Sequence, residues 1–200
     1  DVSLEVTNRE HVLERLSDNQ DDLYILGQPP KEVNAVSETF LDNPLVVLAP
    51  VNHRLVNKKG ITPKRIVEEP FLSREFGSGT RIASERFFAE RELKLKIRME
   101  LGSNEAIKQA IIGGLGISVL SQHTLALDAS MRQLAILDVQ GFPINRQWYY
   151  AYPAGKQLSL VAQAFLGYLQ QAPKFLDEMS CHYANITDSP LTASSNNDVC

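Results

Sequence analysis

The sequence has little of what marks a secreted scaffold, a membrane protein or a nucleic-acid binder. Its 200 residues include 2 cysteines, both in the polar stretch after residue 180, so no disulfide framework is expected. The cytoplasm, as a reducing compartment, is the simplest expectation. No apolar run approaches the ~18 residues of a membrane span. Acidic residues outnumber basic ones by 24 to 20, so this chain alone is not expected to grip DNA.

Recognisable catalytic groups are also missing. A P-loop needs a lysine at a fixed spacing after its glycines, and here Arg81 follows Thr80 directly. No G-x-S-x-G nucleophile motif occurs, and the histidines are scattered without a metal-binding motif. GGLGIS (113–118) precedes a strand and lacks the third glycine of a dinucleotide fingerprint, which favours a helix stop and a tight turn. We therefore expect no enzyme, no cofactor and no metal site.

Strands and helices alternate along the chain, which predicts an α/β protein. VSLEV (2–6) alternates apolar and polar residues as a half-buried strand does, and a capping box at Thr7 and Glu10 opens a helix. The strand LYIL (23–26) follows, and this β-α-β order predicts parallel pairing. LVVLA (45–49) is apolar throughout, which predicts a central strand covered on both faces.

The remaining elements follow the same alternation. Residues 96–101 (KIRMEL) and 146–153 (RQWYYAYP) have strand patterns, and helices are predicted from about 80 to 92 and from about 157 to 171. The polar tail at 176–200 is predicted to be disordered.

One loop carries the main functional signal, SREFGSGTRIASERFF (73–88). Its glycines let backbone N–H groups converge, and the helix that follows adds partial positive charge at its start. Arg74, Ser78, Thr80 and Arg81 can all donate hydrogen bonds to an oxyanion. A tight turn with a threonine cap and no ligand accounts for the same residues, so the loop alone leaves both interpretations open.

Three longer segments resemble the effector-binding domain of LysR-type transcriptional regulators. They are residues 68–81 (EEPFLSREFGSGTR), 95–127 (LKIRMELGSNEAIKQAIIGGLGISVLSQHTLAL) and 134–159 (LAILDVQGFPINRQWYYAYPAGKQLS). The likeness extends over about residues 1–175, and GSGTR, GSNEAIKQA and GGLGISVLS stand in the family's order and spacing. Within the family, the chain is most similar to the CbbR-like branch that controls carbon metabolism, of cyanobacterial NdhR/CcmR or CmpR type.

The resemblance implies an α/β fold of two Rossmann-like lobes, of periplasmic-binding-protein type II architecture, joined by two crossing strands. The first lobe would contain residues 1–71 and 147–175, and the second residues 72–146. A small anionic effector would bind in the cleft between the lobes. The effector-binding residues implied on this sequence are Thr7, Asn8, Arg74, Ser78, Gly79, Thr80, Arg81, Ser103, Asn104 and Ser121.

The function implied by the resemblance is metabolite sensing for a regulator of inorganic-carbon uptake or carbon-fixation genes. Candidate effectors of the branch are 2-phosphoglycolate, 2-oxoglutarate, ribulose 1,5-bisphosphate and NADP+. The partners implied are a second copy, in dimers or tetramers, and operator DNA through an N-terminal helix-turn-helix that this sequence does not contain. Phe87 or Phe88 is expected to be partly buried between subunits. A solute-binding protein of a small-anion transporter is the alternative with the same architecture.

The sequence begins at Asp1 without an initiator methionine, as a piece of a longer protein would. Two departures from the family pattern accompany these expectations, and the first is that the winged helix-turn-helix and its linker helix are absent from this sequence. The second is that the first strand and first helix of the family's effector domain are not found in it, and the start of that helix normally contributes groups to the effector site.

Overall fold

The computed structural model describes residues 2–125 and 133–173. The α-helices are α1 (Arg9–Ser17), α2 (Pro63–Ile66), α3 (Gly79–Ala89), α4 (Asn104–Ile112) and α5 (Leu160–Leu169), with a 3₁₀ turn at Gln122–Leu125. The strands are β1 (Tyr24–Leu26), β2 (Ala35–Asp42), β3 (Leu45–Pro50), β4 (Phe71–Arg74), β5 (Ile97–Leu101), β6 (Ser118–Ser121), β7 (Leu134–Leu137) and β8 (Gln147–Pro153). The predicted α/β class is confirmed. None of the described helices is long and apolar enough to cross a membrane.

The first sheet has the order β1-β8-β2, and both of its pairings are antiparallel. Strand β8, whose aromatic pattern predicted a strand, lies at its centre. Helices α1 and α5 complete this part of the molecule, which we call the first lobe. Its fully buried apolar cluster is small and consists of Leu16, Tyr24, Leu26 and Ala151.

The second lobe contains the other two sheets. Strand β3 pairs antiparallel with β6 and β7, and β4 pairs parallel with β5. Every residue of β3 is buried, so the central strand predicted from LVVLA is confirmed. Because β3 belongs to this sheet, the chain crosses between the lobes before residue 45, which corrects the boundary expected at residues 71 and 72.

Aromatic side chains at the C-terminal end of α3 pack in the interior of the second lobe. Phe87 and Phe88 contact each other with ring centroids 5.2 Å apart, and Phe88 also contacts Phe71. Phe88 is 1% exposed. The expectation that one of these two phenylalanines lies between subunits is therefore wrong, because both are already buried within this chain.

The strand predicted at residues 2–6 does not form. None of the described strands pairs with this segment, and Val2, Leu4 and Val6 are each more than 80% exposed. An alternating pattern makes a strand only where a neighbouring strand satisfies its backbone groups and covers one face. The parallel β-α-β unit is accordingly absent from the described residues. The predicted disordered tail at 176–200 lies outside the described residues.

Candidate functional site

The two lobes face each other across a cleft into which the N-terminal ends of α1 and α3 both open. The wall from the first lobe consists of Thr7, Asn8, Arg9, Val12, Ile25, Leu26, Gly27, Gln28 and Trp148. The opposite wall and the floor consist of Arg74, Ser78, Gly79, Thr80 and Arg146. The lining that the described residues form contains several hydroxyl, amide and guanidinium donors but no carboxylate.

The start of α3 is arranged to leave donors available. Gly77 has a left-handed backbone (φ 80°) that glycine adopts without strain, and it turns the chain into the helix. Ser78 is the N-cap, yet its side chain makes no capping hydrogen bond. The backbone N–H groups of a first helical turn have no partner within the helix. Those of α3 therefore remain available to a ligand in the cleft.

The start of α1 approaches the same loop from the other lobe. Asn8 caps this helix by accepting a hydrogen bond from His11 N–H at 3.1 Å, so the capping box predicted at Thr7 and Glu10 is wrong. Glu10 instead donates its backbone N–H to the carbonyl of Gly77 at 3.3 Å. The N-termini of α1 and α3 thus meet at one cleft, where both helix dipoles favour negative charge.

Arg9 and Arg74 line the cleft, and each is paired with a carboxylate. Arg9 contacts Glu32 at 3.1 Å and also donates to the carbonyl oxygens of Gln28 and Pro29. The backbone N–H of Glu32 and, after it, the guanidinium of Arg9 hold the pKa of the Glu32 carboxyl below its usual range. Arg74 donates two hydrogen bonds to Glu75, at 2.7 and 2.8 Å. These two guanidinium groups are therefore positioned but largely neutralised.

Arg146 differs from both. It lies where the chain returns to the first lobe, and its Nε and Nη1 donate to the carbonyl oxygens of Gly27 and Gly79 at 3.2 and 2.9 Å. Burial, with a smaller contribution from the nearby Arg9, lowers its pKa to about 10. The guanidinium is still protonated at neutral pH and adds a full positive charge to the floor of the cleft.

The structure brings six of the ten residues implied by the resemblance into this cleft: Thr7, Asn8, Arg74, Ser78, Gly79 and Thr80. The other four do not line it. Arg81 lies against Glu85 and Glu100, and these hydrogen bonds raise its pKa, the one from Glu85 contributing most. Asn104 accepts a hydrogen bond from Arg74 at 2.5 Å and so acts on the lining only through that residue.

Ser103 and Ser121 have local structural roles instead. Ser103 is the N-cap of α4, and its side chain accepts a hydrogen bond from the N–H of Ala106. Ser121 ends the buried strand β6, and its hydroxyl accepts one from His123 N–H. Both hydroxyl oxygens satisfy backbone donors next to them in sequence.

The lining residues that the sequence did not predict include Arg9, Trp148 and Arg146. Arg9 carried a usable signal, because a cation in the first turn of a helix opposes the dipole and needs another reason to be there. Trp148 lies on the aromatic strand β8, a pattern that favours packing in a core over binding a ligand. Arg146 had no local signal, since its contacts lie 119 and 67 residues away in sequence.

The chemistry available here is the binding of an anion. Among the described residues, the lining has no carboxylate, histidine or cysteine that could serve as a general base or nucleophile. Within residues 2–125 and 133–173, no group of three His, Cys, Asp or Glu residues could hold a metal ion. Donors from two helix starts and three arginines surround the cleft, an arrangement that selects small ligands carrying negative charge.

Relatives of this chain are transcriptional regulators. A RuBisCO operon transcriptional regulator of Acidithiobacillus ferrooxidans is 56% identical over 164 residues, covering 82% of this chain and 53% of the relative. The HTH-type transcriptional activator CmpR of Synechocystis is 54% identical over 168 residues, covering 84% of this chain and 55% of the relative. The chain therefore spans about half the length of these relatives.

Solved structures agree with the fold. The CcmR regulatory domain of Synechocystis PCC6803, in complex with 2-PG, matches with a TM-score of 0.82 and 51% identity over 86% of this chain and 83% of that one. The effector-binding domain of QuiR, in complex with shikimate, matches with a TM-score of 0.71 at 19% identity, covering 84% of this chain and 78% of that one, and so shows a shared fold. The family model for the LysR substrate binding domain matches residues 1–174. The chain belongs to the LysR substrate-binding domain family.

Proposed function

We propose that this domain senses a small anionic metabolite for a LysR-type regulator of inorganic-carbon uptake or carbon-fixation genes. The observation that carries the proposal is the cleft in which two helix N-termini and three arginines converge, with no carboxylate among the described residues that line it. Such a site binds an anion and offers no group to transform it. Binding without turnover is what a sensor in the cytoplasm requires.

The ligands we propose are 2-phosphoglycolate, 2-oxoglutarate and ribulose 1,5-bisphosphate. Each carries two anionic groups, and the cleft offers two helix starts, at Asn8 and at Ser78, on opposite walls. The complex of the CcmR regulatory domain with 2-PG, at 51% identity, supports 2-phosphoglycolate as the first ligand to test. The names of the relatives support a regulator over the solute-binding protein of a transporter.

Signalling would proceed by a population shift between arrangements of the two lobes. Contacts across the cleft include the hydrogen bond from Glu10 N–H to the carbonyl of Gly77, and Arg146 joins the carbonyl oxygens of Gly27 and Gly79. A ligand that touches both helix starts binds best when the lobes are close, so it stabilises that arrangement. In the whole regulator, a homodimer or homotetramer would convey the change to a DNA-binding segment outside this chain.

Calorimetric titration of the domain with each metabolite tests the proposal. Arg74→Ala and Thr80→Ala each remove a donor from the lining of the cleft, and we expect the Kd for the metabolite to rise about 10- to 100-fold, the range for a hydrogen bond to a charged group. Arg86→Ala is the matched control, because Arg86 lies on the same helix but is 78% exposed and pairs with Glu90. Its Kd should stay within about twofold of the unsubstituted domain.

Two results would count against the site. Unchanged affinity in both Arg74→Ala and Thr80→Ala would move the ligand out of this cleft. An equal loss in Arg86→Ala would show that general electrostatic attraction, rather than the lining, governs binding.

A further inference from the structure

Arg146 lies at the floor of the cleft and contacts both lobes. It precedes β8, on the segment where the chain returns from the second lobe to the first. Its Nε donates to the carbonyl of Gly27, which follows β1, while its Nη1 donates to the carbonyl of Gly79, in the first turn of α3. One guanidinium therefore holds one carbonyl from each lobe. The two hydrogen bonds fix the plane of the guanidinium at the floor of the cleft.

The donors of Arg146 are only partly used. A guanidinium carries five N–H groups, and two of them are assigned to Gly27 and Gly79. For the remaining three, and for the positive charge, the described residues supply neither an acceptor nor a carboxylate. Arg9 and Arg74, in the same lining, are paired with Glu32 and Glu75. Arg146 is thus the guanidinium of the cleft whose charge is not balanced by a described neighbour.

Gly27 lies directly against the guanidinium of Arg146. A Cβ on residue 27 would overlap Nη2 of Arg146. The backbone of Gly27 has no left-handed φ that would by itself require glycine. The absence of a side chain at this position leaves room for the guanidinium, so a methyl group there would displace it from its place in the cleft.

We propose that Arg146 is the anion anchor of this cleft and that it selects a ligand with two or more negative charges over a ligand with one. This inference rests on the proposed function and names the ligand class of the same site. The unbalanced charge of Arg146, with about half a charge from each of the two helix starts, leaves the lining with an excess of about two positive charges. A phosphate monoester or a dicarboxylate supplies about this much negative charge, and 2-phosphoglycolate, with a carboxylate besides its phosphate, supplies more. One anionic group takes the open N–H donors of Arg146, and the rest of the ligand faces the helix starts.

The test compares four variants with the unsubstituted domain, using 2-phosphoglycolate, inorganic phosphate and glycolate as probes. Arg146→Gln should raise the Kd for 2-phosphoglycolate about 30-fold or more, because a charged donor is lost. Arg146→Lys keeps the charge but not the planar fork, so an intermediate rise is expected. Gly27→Ala keeps every charged residue and should still raise the Kd about 10-fold, because it displaces the guanidinium.

Gly102→Ala is the matched control, since a Cβ there has no heavy atom within 4 Å. Its Kd for 2-phosphoglycolate should stay within about twofold of the unsubstituted domain. Glycolate, which has one negative charge, separates an anchor from a structural role. We expect Arg146→Gln to reduce the preference for 2-phosphoglycolate over glycolate, whereas a general weakening of the fold would reduce both affinities in proportion.

The outcomes separate this inference from the proposed function. If the unsubstituted domain binds 2-phosphoglycolate and Arg146→Gln binds it equally well, Arg146 is not the anchor and the sensing function stands. If the metabolites do not bind but phosphate binds in a way that depends on Arg146, the anchor stands and the proposed ligands are wrong. If Arg146→Gln loses its near-ultraviolet circular dichroism, Arg146→Lys and Gly27→Ala decide, and unchanged affinity in both of them overturns the inference. Phosphate and 2-phosphoglycolate binding that is wholly independent of Arg146 does so as well.

Discussion

The two lobes differ sharply in how much apolar surface they bury. The second lobe has two clusters of fully buried side chains, one of them around β3, α3 and Phe71 and the other around β3, α4 and Leu72. The first lobe has one small cluster, and many of its apolar side chains are exposed: Val2, Leu4, Val6, Ile25, Leu160, Val161, Phe165 and Tyr168. Since burial of apolar surface drives folding, we infer that the first lobe is the less stable partner at the cleft.

The largest expected effect tests this inference by matched truncations. Leu48 in β3 and Leu26 in β1 are 0% and 2% exposed, so both lose a fully buried side chain when replaced. We expect Leu48→Ala to reduce the free energy of unfolding by about 4 kcal/mol and Leu26→Ala by about 2 kcal/mol, because a small core relaxes more readily around a cavity. Urea unfolding followed by circular dichroism measures both. Equal losses would contradict the ranking of the two lobes.

Ligand binding should reduce the difference in local stability between the two lobes. A ligand present at about 100 times its Kd stabilises the protein by about 2.7 kcal/mol. We expect 2-phosphoglycolate to slow amide hydrogen exchange in α1 and β1 more than in β3, because α1 contributes a wall of the cleft and opens more easily. Exchange measured with and without the ligand gives the answer. Added protection confined to β3, with α1 unchanged, would mean that the ligand does not reach the first lobe.

The ion pair between Arg15 of α1 and Asp21 should make the stability of the first lobe depend slightly on pH. Arg15 contacts Asp21 at 2.6 Å, and this hydrogen bond lowers the pKa of the Asp21 carboxyl below its usual range. The contribution to stability is therefore present above pH ~4, the unfolded value for aspartate, and disappears as the pH falls through the folded pKa. Thermal unfolding of Asp21→Asn at several pH values should show a lower Tm at pH 7 and a difference that shrinks on acidification. A Tm difference between the two proteins that grew below pH ~4 would contradict a lowered pKa of Asp21 in the folded state.

The smallest expected effect concerns the exposed face of α5. Leu160 is 84% exposed, whereas Leu169 at the other end of the helix is 7% exposed. We expect Leu160→Gln to change the free energy of unfolding by less than about 0.5 kcal/mol, and Leu169→Ala to reduce it by about 2 kcal/mol or more. Urea unfolding of both variants makes the comparison. A large loss in Leu160→Gln would show that this face is covered in solution.

The sequence predicted those helices and strands whose formation depends on the pattern of neighbouring residues. The apolar run of β3, the aromatic strand β8 and the helix α3 all form where periodicity predicted them. Strand β2 was missed because its residues include Glu38, Thr39 and Asp42, which weaken the apolar pattern. The strand at 2–6 was wrong, since its formation depends on a neighbouring strand and not on its own alternation.

Local sequence patterns could not predict which distant strands pair or which distant charged residues meet in the folded chain. The boundary between the lobes depends on β3 pairing with strands more than 60 residues later, which no local window records. The glycine-rich loop at 77–80 could be predicted as half of a site because a glycine turn and a helix start are adjacent in sequence. The other half required Arg9 and Arg146, whose positions depend on the folded chain bringing distant segments together.

The central claim is that an anion binds in the cleft between the starts of α1 and α3. Titration of the ¹⁵N-labelled domain with 2-phosphoglycolate, followed by two-dimensional NMR, tests it most directly. The account predicts saturable shifts in the backbone amides of residues 7–9 and 78–80 and in the Nε–H signal of Arg146. Saturable shifts confined to another surface, or no shift at ligand concentrations in the millimolar range, would contradict it.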